Sequence, residues 1–469
     1  MGESVKYIST RNTNESLGFN EALLTGLAPD GGLYVPMAWP TIQIEDLNSA
    51  NLSYSILATQ ILRPFIGGDI DDPTLQDITT EAYSQFCSKE VAPLVEIGPS
   101  LWLLELFHGP TLSFKDFALQ VVSRLFDHVL SRKGEHITVI GATSGDTGSA
   151  AIDACKDRQN IDLFMLHPLG RISEVQRRQM TSVHASNIHN IAVNGTFDDC
   201  QRLVKEMFGD SRFNSELSLA AVNSINWARV MVQVVYYYAA FLKLKNKLLG
   251  FSVPTGNFGN VYAGYVATRT GLPRGELLVA TNQNDILHRV LTSGTYQTES
   301  VKPGISPSMD IQVASNFERY LFELQQRNSA ALCKKMEALK NDGIFTITSD
   351  HLDNARTFFS SSSINEAETL REMGRVYSDT GNLIDPHTAV GTAAARKSPY
   401  KEIGPMVCLA TAHPAKFSES VIKATGKKPS SPTRLLSALE SKERYDTLEC
   451  EISKIQSYIR QRSRRSPKT

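Results

Sequence analysis

The alternation of apolar and polar positions changes character near residue 90. Before it the pattern is helical with an irregular start. Tyr7-Ile8-Ser9-Thr10-Arg11 predicts a short extended piece, and Asn20 to Leu27, Ser53 to Phe65 and Leu75 to Phe86 predict helices. Pro29-Asp30-Gly31-Gly32 is a turn signal, and Leu33-Tyr34-Val35-Pro36 reads as an edge strand, where a proline is tolerated. From about 91 onward short β-branched runs alternate with helical patterns. His136 to Gly141, Ile161 to Leu166, Ile188 to Val193, Phe251 to Val253, Leu277 to Thr281 and Pro405 to Ala410 predict strands. Between them Ser149 to Lys156, Ser173 to Met180, Asp198 to Phe208, Asn226 to Leu242, Val261 to Thr268 and Ile286 to Leu291 predict helices. Further helices are expected over Phe317 to Leu324, Ala330 to Leu339, Asn365 to Tyr377 and Thr388 to Lys397, with Ser360 to Ser363 as an exposed low-complexity loop. Such βα alternation implies an α/β fold with parallel sheets, helices on both faces, and ligands at the carboxyl ends of the strands.

Composition narrows the function classes. Lys+Arg 48 against Asp+Glu 49 leaves a net charge of −1, which argues against a nucleic-acid or membrane partner. The apolar run Val230 to Leu242 is broken by Gln233 and is too short to cross a bilayer, so it reads as a buried helix. Six cysteines lie far apart with no Cys-x-x-Cys pair, so no metal site and no disulfide framework is expected. A cytoplasmic location fits that usage, and the start of the chain has neither an apolar signal core nor, with Lys6, a myristoylation pattern. The basic block Arg460, Arg462, Arg464, Arg465 and Lys468 reads as a disordered tail.

Four stretches carry candidate chemistry. In Leu106 to Phe117 a lone Lys115 precedes an apolar helical face of Phe117, Ala118, Val121, Val122, Leu125 and Phe126. Desolvation there lowers a lysine pKa, and a neutral amine forms covalent adducts with carbonyl cofactors. The competing reading is a lysine whose head snorkels to water. Gly141-Ala142-Thr143-Ser144-Gly145-Asp146-Thr147-Gly148 and Pro254-Thr255-Gly256-Asn257-Phe258-Gly259-Asn260 each leave a strand and open a helix, where backbone N–H groups and the helix dipole favour anions. Neither has dinucleotide or Walker spacing. Together they suggest one loop for a cofactor phosphate and one for a substrate anion. The fourth, Thr411-Ala412-His413-Pro414, ends the last strand, and His413 reads equally well as a satisfied loop histidine. No His-Glu-x-x-His and no Gly-x-Ser-x-Gly occurs, so metallohydrolase and serine-hydrolase readings lack support.

With these motifs, and with Val222 to Arg229, Ser308 to Gln312 and Asp385 to Gly391, the chain resembles the threonine synthase family of the longer bacterial and fungal kind from Ser9 to about Phe417. The resemblance implies fold type II of the pyridoxal 5'-phosphate (PLP) enzymes, the tryptophan-synthase β-like fold. It implies a small N-terminal domain over 1–90, a two-subdomain catalytic region over 91–425, and a C-terminal helical segment with a basic tail over 426–469. The implied activity converts O-phospho-L-homoserine and water to L-threonine and phosphate, in a monomer or homodimer. Lys115 is then the cofactor lysine, Gly256, Asn257, Phe258, Gly259 and Asn260 wrap the cofactor phosphate, and Thr411 meets the pyridine nitrogen. Thr143, Ser144, Asp146 and Thr147 lie where the substrate carboxylate docks, with Asp146 bracing the loop. Asn226, Arg229, Arg171 and Arg177 are candidates for the leaving phosphate, the last two reading otherwise as surface arginines. Many relatives end the phosphate loop in Asp, where this chain has Asn260. Two alternatives stand beside this one. One is a phospho-lyase giving 2-oxobutanoate, ammonia and phosphate, which the vertebrate relatives resemble; these tend to lose the Asn-Phe kept here as Asn257-Phe258. The other is a catalytically dead interaction protein.

Overall fold

The computed structural model describes residues 4–47, 52–143, 145–221, 224–245 and 248–465. The chain divides into two compact units. The first comprises Met1–Leu23, Leu27–His108 and Ser224–Ser430, and the second comprises Leu24–Gly26, Gly109–Asn223 and Ser431–Thr469.

In the first unit a six-stranded sheet runs Phe359–Ser363, Leu277–Thr281, Gly250–Pro254, Met406–Ala410, Leu101–Glu105, Leu94–Gly98. Every neighbouring pair is parallel except the last, a hairpin-like antiparallel edge. Five strands therefore end on one edge, followed by Leu106, Thr255, Asn282, Ile364 and Thr411. Helix Pro386–Lys397 packs on this sheet through small residues. A Cβ on Gly391 would lie 3.0 Å from the Pro254 ring, and Ser252 Oγ donates to the Gly391 carbonyl at 2.7 Å. Val390 and Ile364 are fully buried in the same cluster, each worth about 1.5–3 kcal/mol. Helix Trp227–Leu244 is buried along most of its length, as its apolar run predicts, and among the described residues no helix is long and apolar enough to cross a membrane.

The N-terminal segment is built into this unit. Tyr7–Ser9 is the centre of a three-stranded antiparallel sheet, and Tyr34–Pro36 is its edge, as expected. Thr10 Oγ1 and the Arg11 guanidinium both donate to Glu318, at 2.7 and 2.7–3.0 Å.

The second unit holds a five-stranded parallel sheet, Asp446–Glu449, Ile188–Asn194, Ile161–Pro168, Ile137–Ala142, Leu219–Ala220. Its core gathers Phe164, Ile191, Leu203, Phe213 and, from the C-terminal helix, Ile455 and Ile459.

Two sequence expectations fail. Phe359–Ser363 is an edge strand in register with Leu277–Thr281, not a loop. The basic tail, as far as it is described, is ordered: helix Ile452–Arg462 is followed by Ser463, Arg464 and Arg465, which bond to the second unit. Asp162, wholly buried, accepts Nε and the backbone N–H of Arg464, both at 2.6 Å, and pairs with His136 at 3.0 Å. Lys468 lies outside the described residues.

Candidate active site

In the first unit, strand Gly250–Pro254 leads through Thr255-Gly256-Asn257-Phe258 into helix Gly259–Arg269. Phe258 holds φ +61°, a left-handed conformation that costs a bulky residue about 1 kcal/mol or more. Its ring is locked by Phe317, Phe359 and Tyr320 at centroid distances of 5.1, 5.5 and 6.2 Å. The packed ring fixes the corner and turns the start of the helix into an N–H cradle. Gly256 is needed for close approach, because a Cβ there would lie 2.6 Å from the Ser308 carbonyl oxygen. The Asn260 side chain is held from behind, its Oδ1 accepting the hydroxyls of Tyr236 at 2.5 Å and Tyr237 at 3.2 Å. Its Nδ2 has no partner among the described residues. A helix start of this kind, with the close backbone approach at Gly256 and the buried Asn260 amide, fits a phosphate monoester such as that of PLP.

Asn316 ties that loop to a second segment. Its Nδ2 lies 3.1 Å from both the Asn257 and the Ser224 carbonyl oxygens. Arg319, wholly buried, donates to Asn316 Oδ1, to the Ile225 carbonyl at 2.5 Å and to the Tyr34 carbonyl at 3.0 Å. Burial pulls its pKa down to about 10. The same segment begins helix Trp227–Leu244. Asn226 is its N-cap, accepting the Ala228 N–H at 3.0 Å and donating to the Leu23 carbonyl at 2.8 Å. Its amide is occupied structurally, which argues against a role for it on the leaving phosphate. Arg229 differs. It is 4% exposed, burial lowers its pKa to about 10, and its Nε and Nη1 have no partner among the described residues. Thr411 follows the strand Met406–Ala410 and is buried. His413 is a satisfied loop histidine: its Nδ1 accepts the Ala415 N–H at 3.1 Å, its ring packs edge-on to Phe107, and burial pushes its pKa down to about 4.

In the second unit Lys115 is the first residue of helix Lys115–Lys133, whose expected apolar face is buried throughout. The Lys115 side chain is 11% exposed, so it does not reach out as a snorkelling lysine does. Its neighbour is polar: Asp146 Oδ2 lies 3.9 Å from Nζ. Asp146 Oδ1 accepts Gln176 Nε2 at 3.1 Å, so the carboxylate is braced by a side chain from another helix, Glu174–Thr181. Thr143 Oγ1 accepts the Gly145 and Gly148 N–H groups at 3.0 Å each, which makes it a loop brace. Thr147 is half-buried at the helix start, and Ser144 lies outside the described residues, as do Val222 and Asn223. Arg177 is paired with Glu443 at 2.7 and 3.2 Å, and Arg171 is exposed. Gln176 and Arg319 escaped the sequence reading because their partners are distant in the chain. Asp385 and His387 carried a signal, an Asp-Pro start to a helix, but no assigned role.

The chain is similar to known proteins over nearly its whole length. Families described as threonine synthase N terminus, pyridoxal-phosphate dependent enzyme and threonine synthase C-terminal match residues 6–83, 90–412 and 388–459. Threonine synthase of Pseudomonas aeruginosa is 48% identical over 465 residues, covering 98% of this chain and 99% of that protein. The Schizosaccharomyces pombe enzyme is 40% identical, covering 90% and 89%. Among solved structures, PLP-bound threonine synthase from Brucella melitensis superposes with a TM-score of 0.95 at 48% identity, covering 98% of this chain and 100% of that one. The yeast enzyme gives 0.93 at 38%, covering 98% and 99%. On this evidence the chain belongs to the threonine synthase family, PLP-dependent enzymes of fold type II.

Proposed function

We propose that the chain converts O-phospho-L-homoserine and water to L-threonine and phosphate with Lys115 as the cofactor lysine. The observation that carries the substrate class is Arg229. A buried guanidinium with no carboxylate partner among the described residues is costly, and it sits on a segment that shares Asn316 with the phosphate loop. Two anion sites in one unit suit a phosphorylated substrate beside a phosphorylated cofactor.

PLP, when bound, supplies the electron sink that acidifies the substrate carbons. Gly256, Asn257, Phe258, Gly259 and Asn260 would hold its phosphate through the helix start, Lys115 would anchor its aldehyde, and Thr411 would serve its ring nitrogen as a neutral partner. The Lys115 amine, once released, moves protons at substrate Cα and Cβ. Asp146, fixed by Gln176, keeps that amine in place. Arg229 stabilises the charge that grows on the departing phosphate oxygen. The loop braced by Thr143, with Thr147 and Ser144, receives the substrate carboxylate.

The test is product analysis with purified protein and O-phospho-L-homoserine. Threonine and phosphate in equal amounts are expected. 2-Oxobutanoate and ammonia in place of threonine overturn the assignment in favour of a phospho-lyase, and no turnover with no bound cofactor leaves an interaction protein.

A further inference from the structure

We propose that His387 is a positioning residue for the cofactor's phosphate cradle, acting through the backbone of Ser308. The inference rests on the reading of Gly256 to Asn260 as that cradle. Asp385 is wholly buried at the start of helix Pro386–Lys397. Its Oδ2 accepts the His387 N–H at 3.0 Å, and its Oδ1 accepts the Thr388 N–H at 3.1 Å and the Thr388 hydroxyl. The fourth contact is His387 Nδ1, 2.7 Å from Oδ2. On the other side of the ring, Nε2 lies 3.2 Å from the Ser308 nitrogen.

That second contact fixes the tautomer. A backbone N–H can only donate, so Nε2 presents its lone pair and the ring proton sits on Nδ1, donating to Asp385. The imidazole is thus a neutral spacer between a buried carboxylate and a backbone donor. Phe417, at the end of the Thr411 loop, packs edge-on against it at 5.0 Å.

Ser308 lies in the single turn Pro307–Met309, and its carbonyl oxygen is the atom packed against Gly256. Holding the Ser308 N–H holds this peptide at the cradle's back wall. Without the acceptor the Ser308 peptide loses one of the bonds that hold it against Gly256, and the wall that sets the loop's N–H groups is weakened. His387 touches neither cofactor nor substrate in this scheme.

The full-length protein, stripped of cofactor, is titrated with PLP and with pyridoxal, which lacks the phosphate. Intrinsic tryptophan fluorescence is the readout. Asn at 387 reproduces the Nδ1 donor to Asp385 but not the acceptor; Gln reproduces the acceptor at the Nε2 position. His387→Asn is expected to raise the PLP Kd about fivefold, the value of one neutral hydrogen bond, and His387→Gln less than twofold. Pyridoxal binding should stay at the wild-type value in both. The pyridoxal-to-PLP ratio is taken within each variant, so a general loss of stability cancels. Wild-type PLP affinity in His387→Asn, equal weakening by Asn and Gln, or equal weakening of PLP and pyridoxal overturns the proposal. Gly256→Ala is the control. If it leaves PLP affinity unchanged, the cradle reading itself falls, and the role of His387 with it. If it weakens PLP alone while His387→Asn does nothing, only the role of His387 is lost.

Discussion

Replacing Arg229 by Met should make the cofactor-free protein more stable and the enzyme nearly inactive. Arg229 is 4% exposed and carries its charge at neutral pH, although burial lowers its pKa from the ordinary guanidinium value to about 10. The folded state therefore binds the proton less tightly than the unfolded one. The penalty is fully present below about pH 10 and is relieved only as pH rises toward 12.5. A depression of this size corresponds to about 3 kcal/mol at 1.36 kcal/mol per pH unit. That lies within the 1–4 kcal/mol gained in other proteins when apolar residues replace buried ions. Met keeps much of the volume, so no large cavity offsets the gain.

For a chain this long, 3 kcal/mol raises the melting temperature by about 3 °C. With PLP filling the Gly256–Asn260 cradle, inorganic phosphate at 100 times its Kd should add about 2.7 kcal/mol to wild type and nothing to Arg229→Met. Turnover of phosphohomoserine should fall 10²–10³-fold in kcat/KM, the usual loss of one donor to developing charge. Arg229→Lys should recover only part of it, since an ammonium lacks the planar fork. Calorimetry with and without phosphate, beside a phosphate-release assay, covers all three. A variant that melts lower than wild type, still responds to phosphate, or keeps kcat/KM within threefold refutes the reasoning.

Three further outcomes are expected. Lys115→Ala should fold, lose turnover, and yield no cofactor-labelled peptide after borohydride reduction; a labelled peptide elsewhere in the chain reassigns the lysine. A chain ending at Arg462 removes the Arg464 bonds to Asp162 and should lose about 2–3 kcal/mol in urea denaturation. Burial raises the Asp162 pKa, but bonds from His136 and Arg464 outweigh it and leave the pKa lowered. The stabilisation is therefore present above the ordinary carboxylate range and lost as pH falls through it, so acid should remove the difference between the two chains. His167, 1% exposed, has its pKa pushed down to about 4 by burial, so its neutral form is favoured only in the folded state. Stability falls as pH drops from 6.5 toward 4, by about 2 kcal/mol at pH 5 for this residue. His167→Leu should flatten that decline in denaturation midpoints measured at pH 5 and 7.5, and an unchanged slope refutes it.

What the sequence disclosed follows from the range of the interactions. Strands such as Leu277–Thr281 are legible because β-branched and apolar residues cluster within five positions. Phe359–Ser363 is not, because four serines have no such preference. It is a strand because it pairs with Leu277–Thr281 and because its hydroxyls find partners distant in the chain: Ser360 on Glu276 at 2.6 Å and Ser361 on His288 at 2.9 Å. The C-terminal basic block shows the same limit. A run of arginines reads as solvated until Arg460 meets Glu216 and Arg464 meets Asp162, partners 244 and 302 residues earlier.

The candidate site divides along the same line. Motif spacing identifies both glycine turns and Lys115, since a helix start is a local property. It does not separate residues that face a ligand from residues that hold the loop. Asn226 and Arg229 lie three positions apart in one motif, yet one caps a helix and the other keeps two nitrogens without a partner among the described residues. Asp146 sits 31 residues after Lys115 in the chain and 3.9 Å from it in space. The apolar helix face gives no sign of that carboxylate, which begins a different helix. On the role proposed for Lys115, Gln176 acts on it by bracing the Asp146 carboxylate beside its amine. Gln176→Leu should accordingly lower kcat/KM, while cofactor labelling of Lys115 persists. An unchanged kcat/KM would show that the carboxylate beside Lys115 does not need that brace.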